Sequence, residues 1–87
     1  MQRISDSILR EQLDTIKALA AEQGRVYLPG HSGAPARYDS LHLYHAYGST
    51  AVHATVEGTS GVHEIVPLDT KRNVYTYLRG MIAGLSC

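Results

Sequence analysis

Three histidines sit around one turn: His42 and His45 precede Gly48-Ser49, His53 follows it, and Tyr44 lies among them. Imidazoles converging from two adjoining strands, with Glu57 a few residues on, are the donor types that hold zinc or nickel. Their spacing is that of strand residues, though, and lacks the fixed loop or helical intervals of metal motifs. No second cysteine joins Cys87. The histidines therefore read as ordinary strand residues, and no metal or other cofactor is expected. The stretch HSGAPARYD contains His31, Ser32, Arg37 and Asp39, which are the residue types of a base, a nucleophile and an orienting pair. A catalytic serine needs a strained, supported elbow and a base from another element, which neighbours in one loop do not supply. The chain accordingly reads as non-enzymatic. Long loops on small scaffolds are places for ligand or partner contacts, so Arg37 stays a candidate contact. Lys71 and Arg72 stand where the last helix begins, with Arg79 two turns on. Cations there oppose the helix dipole, yet together with the free N–H groups they would form a small anion site; a solvated helix face is the commoner result. The candidate contact residues are thus His42, Tyr44, His53, Arg37, Lys71 and Arg72.

The elements that must position these groups can be read from periodicity. Ile8, Leu9, Leu13, Ile16 and Ala20 recur at helical spacing opposite Arg10, Glu11, Asp14 and Lys17, so residues 6–23 are expected to form an amphipathic helix. Ser5 or Ser7 can cap its first amides, and Gly24 can close it in the left-handed conformation. Val26, Tyr27 and Leu28 are a short strand candidate before Pro29. Residues 41–57 alternate around Gly48-Ser49. A two-residue turn there, with Gly48 at the first position of a type II′ turn, pairs Tyr47 with Thr50, His45 with Val52, Leu43 with Ala54 and Leu41 with Val56. That places the mostly apolar set on the core side, with His45 as a structural histidine. His42, Tyr44, Ala46, Ala51, His53, Thr55 and Glu57 take the wet side, with Tyr44 opposite His53. A second reversal at residues 58–61 leads into a strand over 62–66, and Pro67 is expected to end the sheet. Asp69 or Thr70 caps a final helix whose apolar stripe is Val74, Leu78, Met81, Ile82 and Leu85. Gly84 is expected to end that helix and Gly80 to mark a close approach to a neighbouring element. The resulting fold class is α+β: a three-stranded antiparallel meander, with residues 26–28 available as a fourth strand, and an N-terminal and a C-terminal helix packed on one face.

Composition narrows the partners. Eighty-seven residues make one domain, 1–87, with a single modest core. Eight basic residues balance eight acidic ones, so no general field draws the chain to nucleic acid or to an acidic membrane. Neither a secretory leader nor a run of about 18 apolar residues is present, which reads as a soluble, unprocessed chain suited to a reducing cytoplasm. Two edges of a small sheet, beside Tyr44, His42 and His53, suit pairing with a second copy as a homodimer or docking of another protein.

The second half of the chain carries a resemblance. From LYHAYGS through GV to TKRNVYTYLRGMIAGL it resembles small uncharacterised proteins of tailed phages and prophages. Those show a Tyr-rich strand ending in AYGG, a Gly-Gly-Val reversal and a closing helix that begins TKRELY and ends Ile-x-Gly-Ile. Ala46-Tyr47-Gly48, Gly61-Val62, Thr70-Lys71-Arg72, Tyr75, Ile82 and Gly84 match, whereas Ser49 and Asn73-Val74 depart from the pattern. The resemblance carries no catalytic residue. It implies a phage accessory protein acting in the host-cell cytoplasm by binding and inhibiting a host protein, for example a defence component such as a CRISPR effector. A small-ligand or nucleotide-sequestering protein, using the 29–40 loop or the last helix, is the alternative.

Overall fold

Ser5 opens the first helix, α1 (Asp6–Glu22), by accepting the amide of Ile8 at 3.4 Å. The same helix ends in a Schellman closure: Gly24, at φ +69°, donates its amide to Ala21, and the Arg25 amide reaches back to Ala20 at 2.8 Å. The computed structural model describes residues 3–28, 35–56, 58 and 61–86. Residues 29–34, and with them the expected grouping of His31 and Ser32, lie outside the described residues, as does Glu57.

After a short 3₁₀ turn at Tyr38–Ser40, strands β1 (His42–Ala46), β2 (Ser49–Thr55) and β3 (Val62–Asp69) form an antiparallel sheet in the order β1-β2-β3. Helix α2 (Lys71–Ser86) closes the chain. Lys71 contacts Asp6, Arg79 contacts Gln12, and Gln23 donates its side-chain amide to the Leu85 carbonyl. The two helices therefore run side by side in the same direction. Between them and the sheet lies one core. Leu9, Leu13, Ile16 and Ala20 of α1 and Val74, Leu78, Ile82 and Leu85 of α2 meet Leu41, Val52, Ala54 and Val66. Each large side chain buried there contributes about 1.5–3 kcal/mol of apolar transfer free energy. The expected stripes are thus the observed ones, with Ile8 and Met81 at their half-buried margins.

Several local expectations are corrected. The hairpin turn is Tyr47-Gly48, not Gly48-Ser49: Tyr47 has φ +54° and Gly48 φ +75°, both positive as in a type I′ turn. Ala46 faces Ser49, His45 faces Thr50, Leu43 faces Val52 and His42 faces His53. Moving the turn by one residue shifts every partner by two, and a shift of two leaves each side chain on its original face. The parity of each strand position survives the slip, but not every expected burial: Ala51, expected on the wet side, is fully buried, and Tyr47 and His45, expected on the core side, are exposed. Pro67 does not end the sheet. β3 is an edge strand, where a residue without an N–H is tolerated, and its register against β2 slips twice, between Thr50 and Val52 and between Val52 and His53. Among the described residues no fourth strand joins the sheet: Tyr27 forms an isolated bridge with Arg37, fixed by bonds from Leu28 to Ala36 and from Tyr38 to Val26, and Ala36 forms another with Val56. Gly84 lies inside α2, which continues to Ser86. At Gly80 a Cβ would meet nothing within 4 Å, so that glycine marks no close approach.

Candidate functional site

The outer side of the hairpin brings together three of the expected contact residues. His42 and His53 are direct cross-strand partners, their rings edge-to-face at 6.0 Å. Tyr44 faces Ala51 across the ladder, yet its ring reaches diagonally to stack on His53 at 4.5 Å and 15°. His42 Nδ1 donates to the Ser40 carbonyl at 2.8 Å, an acceptor that requires the proton on that nitrogen. His53 Nε2 lies 3.8 Å from Glu64 Oε2 on β3, too long for a hydrogen bond and within reach of an ion pair when the ring is protonated. Beside this Tyr44–His53–His42 stack, Val62 is about half exposed. Among the described residues, no group of three His, Cys, Asp or Glu side chains is placed to hold a metal ion.

The hairpin tip adjoins the amino ends of both helices. Tyr47 is 98% exposed there and occupies the left-handed backbone region, which bulky side chains avoid. His45 is not the core histidine expected from its side of the strand. It lies on the edge strand β1, and although its cross-strand partner Thr50 is buried, its own ring is about half exposed and its Nε2 donates to Asp6 Oδ1 at 3.2 Å. Lys71 Nζ lies 3.3 Å from the same oxygen, so one carboxylate joins α1, β1 and α2. The hydrogen bond from His45, with Lys71 adding to it against some desolvation, holds the Asp6 carboxyl below its ordinary range. Thr70 Oγ1 accepts the Asn73 amide and caps α2. Asp69, bonded first by the Asn73 side chain and then by the Thr70 amide, is likewise shifted downward. Asp6 and Asp69 thus place negative charge at the positive ends of two aligned helix dipoles.

The other candidates disperse. Lys71 is committed to Asp6, and Arg72 is exposed on the first turn of α2. Arg37 forms a two-pronged pair with Asp39, both contacts at 3.1 Å, which holds the Asp39 carboxyl below its ordinary range. That pair lies beside Lys17, Gly24 and Arg25, where α1 ends. The structure therefore assembles His42, Tyr44 and His53 and leaves Arg37 elsewhere.

Two features escape the sequence reading. Alternation assigns Tyr47 to a strand because Gly48-Ser49 looks the better turn; the following glycine is the available signal, since an X-Gly pair also writes a type I′ turn. The second feature is a cleft of about 390 Å³ at the carboxyl ends of the helices, lined by Leu28, Tyr38, Ile65, Tyr77, Met81 and Leu85, with Arg25 and Gly84. Ile65 faces it because the register slip in β3 inserts that residue opposite no single partner. No helix among the described residues is long and apolar enough to cross a membrane. No family model matches the chain, and no curated protein or solved structure matches it.

Proposed function

We propose that this chain is a non-enzymatic phage accessory protein that acts in the host cytoplasm by binding and inhibiting a host protein, a defence component such as a CRISPR effector being one such target. The observation that carries the binding reading is Tyr47. A chain that only needed a hairpin would place Asn or Gly in the left-handed first position of that turn. This one holds a tyrosine there, 98% exposed, at a conformational cost of roughly 1–2 kcal/mol. Strain retained at an exposed aromatic is a functional signature, and tyrosine is a preferred interface anchor because it offers contact area and a hydroxyl at little rotamer cost. Tyr44 and its histidine partners continue that surface along the hairpin. The phage origin rests on the AYGS and TKR resemblance alone.

Capture from host lysate tests the reading. Wild type should enrich one partner. Tyr47→Asn and Tyr44→Glu should each lose most of that enrichment, while Arg37→Gln keeps it. Equal enrichment by all four proteins would sink the hairpin as the working surface. Light scattering on the same set reports the homodimer, which should disappear in Tyr44→Glu if two copies share this face.

A further inference from the structure

The cleft at the carboxyl ends of the helices lies away from the hairpin tip and is independent of the surface assigned above. Its walls are apolar or aromatic: Leu28, Tyr38, Ile65, Tyr77, Met81 and Leu85. Tyr38 is buried at 5% exposure and forms a fixed wall, whereas Tyr77 is about half exposed at the mouth. The charged group lining it is Arg25. Gln23 Oε1 accepts from Arg25 Nε at 2.7 Å, while the other end of the same amide donates to the Leu85 carbonyl. The guanidinium is thereby tied to both helix ends through one nitrogen, and its two terminal nitrogens are left to bind. Among the described residues no carboxylate lies within ion-pair distance of Arg25.

We infer that this cleft binds a small amphipathic carboxylate, its aryl or alkyl body between Tyr77, Met81 and Tyr38 and its carboxylate on the Arg25 terminal nitrogens. A volume of about 390 Å³ falls within the range of small-molecule sites, which pair an apolar lining with few polar groups. The partial negative charge of the helix ends is already met. The Ala20 and Ala21 carbonyls accept the Arg25 and Gly24 amides, and the Leu85 carbonyl accepts from Gln23. What the site lacks is an acceptor for a planar fork of donors, which a carboxylate satisfies with two parallel bonds.

The test uses 4-phenylbutyrate and its neutral homologue 4-phenylbutan-1-ol, titrated while the Met81 methyl and Gly84 amide resonances are followed by NMR. The acid should move both signals saturably and bind about tenfold more tightly than the alcohol, the ratio expected of a charge-assisted bond. Arg25→Gln should abolish that preference and leave the alcohol unchanged. Tyr77→Glu should weaken the acid more than the alcohol. Arg25 and Tyr77 are exposed, and unchanged melting of either variant shows that the fold persists. Equal affinity for acid and alcohol, signals that move elsewhere, no saturable binding, or an acid preference that survives Arg25→Gln would each overturn the assignment.

Discussion

The two helices begin at one end of the sheet and finish at the other, and the ends are completed by different chemistry. At the amino end, side chains do the closing: Ser5 and Thr70 cap the first amides, and Asp6 joins His45 and Lys71 across three elements. At the carboxyl end, closure falls to the backbone around Gly24 and to one amide, Gln23. Side-chain closure fills the space it closes, so the first end presents a single projecting aromatic on a polar surface. Backbone closure fills nothing, and the second end keeps an apolar hollow under Tyr77 and Met81. The two ends therefore differ in shape, with a projecting aromatic at one and a concave cleft at the other.

Both ends hang on the shared core, and the largest effect should come from breaking it. Leu78 is fully buried midway along α2, and Leu78→Ala should cost about 2–5 kcal/mol in urea unfolding. A loss well under about 1 kcal/mol would mean that the helix pair does not couple the ends. The next effect separates the tip from the rest. Gly48→Val forces a β-branched residue to φ +75° and should cost roughly 1–2 kcal/mol in the same unfolding measurement. Tyr47→Asn should instead raise stability by up to about 1 kcal/mol while losing the partner, because asparagine accepts the left-handed region. Loss of stability in Tyr47→Asn would show that Tyr47 serves the fold and not a contact. Gly80→Ala should stabilise by about 0.4–1 kcal/mol, since the new methyl meets nothing within 4 Å in the middle of a helix.

The smallest effect tests the charge at the amino end. The folded-state pKa of Asp6 is lowered, so its contribution is present above the ordinary carboxylate range near about pH 4 and is lost as pH falls through the folded value. Asp6→Asn should be less stable than wild type at about pH 6, by under about 1 kcal/mol for so exposed a pair. The difference should shrink in melts below about pH 4. A gap that stays constant down to about pH 2 would assign the effect to the helix start and not to the ion cluster.

Much of this architecture is legible in the chain. The helical spacing of Leu9, Leu13, Ile16 and Ala20 locates α1, and Gly24 marks its end, because both signals are local. The side-chain sorting of the hairpin is legible for a subtler reason: a turn misplaced by one residue preserves the parity of every position. The partners themselves are not legible, since turn chemistry favours Gly48-Ser49 and the protein holds Tyr47 in a conformation that propensity argues against. His45 is misread because alternation says which way a strand residue points and not that its strand lies at the edge of the sheet. Of the contact set, His42, Tyr44 and His53 are grouped correctly by alternation. Arg37 and the cleft depend on how a long loop and a slipped edge strand fold back, which no pattern in the sequence encodes.

The parallel course of the helices also decides how the molecule can be handled. The 16 residues of α2, at about 1.5 Å each, separate its start from its finish by ~24 Å. Asp6 at the start of α1 contacts His45 near the hairpin tip, and Leu85 at the end of α2 lines the cleft. A fluorescent label or solid support joined ahead of α1 is tethered on the side of the tip, and one joined after α2 on the side of the cleft. Two immobilised forms of the same protein, differing only in the end that is tethered, would therefore present different surfaces to whatever flows past them.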